Sequence, residues 1–450
     1  MSEASVQRTL RQPSTSQFSL QVAGTLGARL LMIANSVLAG IIVARWLGAE
    51  GLGQLAVINV AVATIVQLAS VGLPSANTYF IAQDNRHFRA AAINALVFAL
   101  VVGSLLAVAL TLLAGSRPDW FGSIPPRLIG VAAISIPFQL ITLIGLNIFL
   151  AVGRIEKFNL LDLTAQAFVL VNAVVALIIL NSSLSTLVSF NTATAVTIGL
   201  VITALVLSYG SKLKDGLSWH PDRKLFVRML GYGIKFHISI LAGALIVRAD
   251  LLVVNHYRGP GEAGVYSVAS QVALLLMLLP GVIGTLLFPR VSAEQDAGGA
   301  TTCRATRHAA FVMFLICLAA IPFSLILPVL YGPAFSEVPK LLLVLLPGVF
   351  LIGLESVVVQ HSNAMGLPQA IPIFWMATLL TNIILVFFLV PRYGAFGAAV
   401  ASTISYALIF ILVAAHFRLT TGRSFSETFL LRDFELKQLL TPGRRAGALR

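Results

Sequence analysis

Charge is scarce in this chain. Only 10% of its 450 residues are Asp, Glu, Lys or Arg while 58% are hydrophobic, against roughly a quarter charged in an ordinary soluble domain. So little charge cannot clothe a water-exposed surface, which excludes a soluble globular fold. Cysteine is nearly missing too. Cys303 and Cys317 are the whole complement, which excludes a disulfide framework and a cysteine-held metal cluster. Strand-length stretches of alternating polarity, the mark of an outer-membrane barrel, are not found. Neither is a phosphate-binding glycine loop or a nucleophile motif, so no enzyme activity and no cofactor or metal are expected.

What fills the chain instead is long apolar runs, each near the ~20 residues that a spanning helix needs. Windows of about nineteen residues place spans at 22–44, 52–73, 90–114, 128–150, 159–181, 187–208, 230–254, 264–288, 309–330, 341–361, 370–390 and 395–416. The class is an all-α polytopic membrane protein of about twelve transmembrane helices. The polar opening, residues 1–17, runs into an apolar segment that is too long for a signal-peptide core and has no small-residue cleavage site. It reads as a cytoplasmic N-terminal segment followed by a retained span.

The net charge of +13 would suit a nucleic-acid partner if it were concentrated on one folded face. It is sorted by loop instead. Of the 30 Lys and Arg residues, 21 lie in the two termini and the even-numbered connections, six in the odd-numbered connections, and Arg29, Lys235 and Arg248 within spans. By the positive-inside rule both termini are cytoplasmic. The excess is a topology signal and a contact for anionic lipid, and no nucleic acid is expected.

The central polar stretch "SYGSKLKDGLSWHPDRKLFVRM" divides six spans from six. The organisation read from it is an N-lobe over 18–208, a cytoplasmic linker over 209–229, a C-lobe over 230–416 and a basic cytoplasmic tail over 417–450. Internal echoes support the division. "LGAEGLGQLAV" after span one matches "RGPGEAGVYSV" after span seven, so that Gly48 and Gly53 pair with Gly259 and Gly264 at a shift of 211, and Pro137 pairs with Pro347 at a shift of 210. Two matches near one offset indicate a duplication. Because each half has an even number of spans, the halves share one orientation, as in parallel-repeat transporters. Two pseudo-symmetric six-helix lobes around a central cavity are expected. Gly48 and Gly53 bracket a tight turn where positive φ is needed, and "GAFGAAVAS" is a small-residue stripe suited to close helix packing.

Twelve spans in two halves, with "ARWLGAEGLGQLAV" after the first, "AVGRIEKFN" after the fourth and "GPGEAGVYSVAS" after the seventh, resemble the polysaccharide-transporter branch of the multidrug/oligosaccharidyl-lipid/polysaccharide exporter superfamily. The resemblance covers the chain to about residue 416. It implies a multi-pass bacterial inner-membrane flippase that moves an undecaprenyl-pyrophosphate-linked oligosaccharide between leaflets by alternating access, for O-antigen, capsule or exopolysaccharide synthesis. Its implied partners are that glycan, the membrane lipids and the polysaccharide polymerase machinery.

The residues themselves point to chemistry through the ionisable groups inside spans, which cost several kcal/mol to insert and ordinarily face a cavity or a partner. Arg29 lies some five residues into span one, with Ser36 and Gly40 within about 20° of it on a helical wheel. In span seven His237 and Arg248 share one face by the same spacing, and Ser239 and Asp250 share another. Arg248 and Asp250 are two residues apart and point away from each other, so each needs its own partner; Glu355 in span ten is a candidate for Arg248. An arginine suits a diphosphate through its permanent charge and forked donors. The candidate cavity set is therefore Arg248, Arg29, His237 and Ser36, with Glu355 and Asp250 as candidates for ion coupling. Beside each stands a structural reading: snorkelling for Arg29, a salt bridge for Arg248, capping or pairing for Asp250 and a hydrogen-bonded core role for His237. Asn172, Asn382, Gln67 and other polar span residues either line a sugar route or bridge helices. The competing function is a cation-coupled multidrug antiporter of the same superfamily, which needs acids in the N-lobe, where only Asp162 at a span edge qualifies. A membrane polymerase or ligase needs a large outer loop, which the roughly dozen-residue connection near 115–127 does not supply.

Overall fold

The computed structural model describes residues 15–213, 219–294, 296–366, 368–431 and 435. Most of the opening segment, the core of the linker and most of the tail lie outside them. The described residues form helices and contain no strand, as expected where no water is available to satisfy main-chain groups left outside a helix. In chain order the helices are α1 (Thr15–Ser70), α2 (Leu73–Gln83), α3 (Phe88–Ser116), α4 (Pro126–Ala133), α5 (Ile136–Ala151), α6 (Ile155–Ala173) and α7 (Leu184–Ser211) in the first half. The second half contributes α8 (Arg223–Arg248), α9 (Asp250–Arg258), α10 (Pro260–Leu275), α11 (Leu278–Glu294), α12 (Ala300–Ser324), α13 (Leu327–Tyr331), α14 (Val338–Ala364), α15 (Ala370–Thr421) and α16 (Phe425–Phe429).

Among the described residues ten helical stretches are long and apolar enough to cross a membrane, and two of them, with 44 and 52 residues, are double length. At 1.5 Å per residue these would reach ~65 and ~80 Å if straight, far beyond a hydrocarbon core of ~30 Å. Each is bent at one glycine. Gly48 (φ 69°, ψ −172°) folds α1 and Gly394 (φ 59°, ψ −137°) folds α15, in a region of backbone space essentially reserved for glycine. Counting each bent helix twice recovers twelve spans.

The duplication inferred from sequence is present in the packing. Gly259 (φ 84°, ψ 172°) repeats the conformation of Gly48. Gly53 and Gly264 are helical, so the sequence expectation of a left-handed turn at Gly53 is corrected: their need for glycine is steric. A Cβ on Gly53 would overlap the carbonyl oxygen of Pro260, and a Cβ on Gly264 would overlap that of Ala49. Ala49 and Pro260 are equivalent at the same shift of 211. The contact is thus reciprocal, residue for residue, as at a two-fold axis. The spans holding Pro137 and Pro347 are the two most buried, with 56% and 67% of their apolar windows enclosed, against 33% or less elsewhere. Equivalent helices therefore sit at the centres of equivalent packing. A third echo lies in hydrogen bonds. Asn172 donates to Thr194 at 3.0 Å and Asn382 donates to Ser405 at 3.0 Å, residues related by shifts of 210 and 211. The first amide bridges α6 and α7, and the second bridges the two arms of α15.

By compactness the chain divides into one unit of residues 1–42, 69–108 and 131–233 and another of 43–68, 109–130 and 234–450. The second unit thus takes in the parts of the first half that surround its first and third turns. Within it, Arg45 donates to the carbonyls of Leu330 (2.8 Å) and Val329, and His256 meets the carbonyl of Asp119 at 3.1 Å. Within the first unit the approach of Gly72 to Gly233 is again backbone on backbone. There Tyr79 stacks on Tyr232 with ring centroids 4.3 Å apart. The described part of the tail is also packed. α16 starts with a capping box formed by Ser424 and Glu427, and buried Arg307 grips Glu435 with two bonds of 2.7 and 2.6 Å.

The reciprocal contact makes a specific prediction. Gly53→Ala and Gly264→Ala each force a backbone separation, so each is expected to destabilise the protein by about 1–3 kcal/mol. Gly27→Ala, in open space, serves as the control. Thermal unfolding of detergent-purified protein measures this, and an unchanged midpoint for Gly53→Ala would show that the seam is looser than described.

Candidate functional site

Span seven is where the charged residues inferred from sequence meet, and its backbone explains their arrangement. The helix is interrupted at Ala249, between the last residue of α8 and the first of α9. Asp250 contributes to the break: its Oδ1 accepts from the main-chain N–H of Leu251 at 2.8 Å, competing for a donor that an unbroken helix would use. The chain tightens there, with Leu252 donating to the Ala249 carbonyl at 3.1 Å. Arg248 and Asp250 thus flank a tightened turn whose backbone stays helical, with Ala249 at φ −71° and ψ −22° and still donating to the Leu245 carbonyl at 2.8 Å.

The two residues then diverge. Asp250 is 2% exposed and takes hydrogen bonds from the Tyr266 hydroxyl and, at 2.8 Å, from Ser402. It ties α9 to α10 and α15. Arg248 is exposed and has no hydrogen-bond or ion-pair partner among the described residues. The expected pairing with Glu355 is not formed. Glu355 is buried in α14 with Oε1 unpartnered, so span ten turns its acid into protein while span seven turns its arginine outward.

Arg248 borders a small cavity of about 30 Å³ between the second half of α1 and α8, lined by Ala63, Thr64, Gln67, Leu241, Ala244, Leu245 and Arg248. Thr64 and Gln67 are three residues apart and Leu241, Ala244 and Arg248 repeat at three and four, the spacings of single helix faces. His237, one further turn back along α8, is buried and hydrogen-bonded to the main chain of Leu68, with Nε2 unpartnered. His237 and Arg248 both lie on the side of α8 that meets α1, though His237 does not line the cavity. Arg29 belongs to the other compact unit. It is exposed, and its charge acts on Asp162 in α6 without an ion pair between them. Ser36 is half-buried in the same helix.

Sequence reasoning passed over Thr64, Tyr266 and Ser402. Only the i, i+3 spacing of Thr64 with Gln67 carried a signal for the first. The other two lie 16 and 152 residues from Asp250, a relation that only folding creates.

Twelve apolar spans, a reciprocal two-fold contact and an arginine within a span that has no partner among the described residues define a duplicated, polytopic helical membrane protein. The particular family follows from comparison: residues 24–295 match the family described as "Polysaccharide biosynthesis protein", and the chain belongs to it. A Shigella flexneri protein described as "Putative O-antigen transporter" is 28% identical over 220 residues, which is 47% of this chain and 52% of that protein. The chain thus spans about half the length of that curated relative. In three dimensions it resembles the lipid II flippase MurJ in an inward closed conformation, with a TM-score of 0.73 and 17% identity over 94% of this chain and 91% of that one. It also resembles an inward-facing multidrug resistance transporter of the MATE family, with a TM-score of 0.70 and 15% identity over 89% and 98% of the two chains. The shared fold is the twelve-helix, two-lobe architecture.

Removing the acceptor at Asp250 should expose its structural weight. Asp250→Ala strands the buried Tyr266 and Ser402 hydroxyls at about 1–3 kcal/mol for each stranded group, and Asp250→Asn, which keeps one oxygen, should fall between it and the parent. Abundance and thermal midpoint report this, and an alanine variant as stable as the parent would contradict it.

Proposed function

We propose that this protein is a flippase carrying an undecaprenyl-pyrophosphate-linked oligosaccharide across the bacterial inner membrane by alternating access, in the synthesis of O-antigen, capsule or exopolysaccharide. Its family membership and the description of the Shigella relative support the substrate class. The observation that carries the reading is Arg248, a guanidinium within a span that no group among the described residues neutralises.

The physical demand is plain. The polyprenyl tail can stay in hydrocarbon throughout, whereas the diphosphate must give up its water and meet compensating charge. An arginine holds its proton in any environment and presents a planar fork that fits phosphate oxygens. Leaving it unpaired is costly in a membrane, and an anionic headgroup is the ligand that would remove the cost. Arg29 is proposed as a second cation on the route, Ser36 and His237 as its polar neighbours, and buried Glu355 as a group for ion coupling. Asp250 is the weaker coupling candidate, since its oxygens are already engaged by Tyr266, Ser402 and Leu251.

The 21-to-6 division of Lys and Arg supports cytoplasmic termini and a cytoplasmic linker, with the Gly48 and Gly259 turns facing outward. Drug-cation export is the poorer reading because its N-lobe acid, Asp162, lies in the field of Arg29. The polysaccharide polymerase machinery is proposed as the consumer of the flipped glycan.

The test is surface polymer in cells whose own gene is replaced. Arg248→Ala at normal abundance should abolish polymer, and Arg248→Lys should restore part of it, because lysine keeps charge without the fork. Full polymer from the alanine variant would refute the role of Arg248.

A further inference from the structure

Arg248 shares its cavity with two polar side chains from α1, and their chemistry differs from its own. A guanidinium only donates, which suits phosphate oxygens that only accept. The Thr64 hydroxyl and the Gln67 amide both donate and accept. So do the hydroxyls of a sugar. Thr64 and Gln67 lie on one face of α1 and line the cavity that Arg248 borders, so a headgroup held by the arginine brings its directly attached sugar against that face. We infer that Thr64 and Gln67 recognise the first sugar of the lipid-linked glycan, the one bonded to the diphosphate, and set which such sugar the protein accepts.

This rests on the flippase reading and adds a division of labour to it: the second half contributes the charge through Arg248, and the first half contributes sugar selectivity through span two. At about 30 Å³ the cavity has the volume of about one water molecule in the liquid, so sugar contact requires α1 and α8 to separate there. The other lining residues, Ala63, Leu241, Ala244 and Leu245, are apolar and leave Thr64, Gln67 and Arg248 as its polar groups. A polar pair facing apolar neighbours across a helix interface also suits simple helix bridging, which is the outcome the experiment must exclude.

The experiment is a binding titration of the full chain, purified in detergent, with two probes: a polyprenyl diphosphate and the same molecule carrying one hexose. The parent should bind the glycosylated probe more tightly. Thr64→Val and Gln67→Leu should each weaken the glycosylated probe about tenfold, the worth of one or two neutral hydrogen bonds, and change the bare diphosphate by less than a factor of about two. Thr64→Ser, which keeps the hydroxyl, should restore the parent affinity. Arg248→Ala should weaken both probes alike. Equal weakening of both probes by Thr64→Val and Gln67→Leu, or no weakening, would overturn the inference, as would a parent that binds the two probes equally. In those cases diphosphate binding through Arg248 leaves the flippase reading standing. A parent that binds neither probe would overturn the flippase reading and the inference with it. Gel filtration confirms that each variant is folded; if one valine or leucine variant aggregates, the other, with Thr64→Ser, still decides between these outcomes.

Discussion

The reciprocal approach of Gly53 and Gly264 is the constraint on which much of the second compact unit depends. Each glycine meets the backbone of the opposite repeat, so a part of the first half becomes packed into the body of the second. Helices can approach this closely only where both surfaces lack a side chain, and in a membrane such van der Waals contact supplies much of the association energy. The turns at Gly48 and Gly259, five residues before the paired glycines, deliver the two helices to the contact in matching conformations. The Arg45 fork onto the carbonyls of Val329 and Leu330 and the His256 contact with Asp119 add polar ties between repeats in the same unit.

Placing the charged residues is then a matter of which neighbours each one meets. Asp250 diverts the N–H of Leu251 and starts a new helix, and its carboxylate is absorbed by Tyr266 and Ser402. On the other side of Ala249, Arg248 has no partner among the described residues. An engaged acid and a cation without such a partner thus stand two residues apart. The cation sits beside Thr64 and Gln67, and the proposed function rests on this contrast.

Much of the architecture was legible in the residues. Twelve spans follow from apolar length and the duplication from the glycine and proline echoes. A single asparagine in an apolar span carries no directional information, so the equivalence of Asn172 with Asn382 shows only in the fold. There Asn172 donates to a hydroxyl on α7 and Asn382 to one on the other arm of α15. Gly53 illustrates a subtler miss. Its importance was visible, yet the reason is the crowding of Pro260 and not a left-handed turn, and crowding is a property of two segments 211 residues apart.

The sequence by itself determined that the chain spans a membrane, how many times, and that it is built from two related halves. These depend on composition and period, which are local quantities. Only the tertiary structure decided which intramembrane charges are neutralised. Helical-wheel spacing placed Arg248 and Asp250 on opposite faces of one continuous helix, but the break at Ala249, the enclosure of Asp250 by Tyr266 and Ser402, and the burial of Glu355 away from Arg248 arise from contacts between distant segments. Neutralisation is a relation between partners, and partners are chosen by packing.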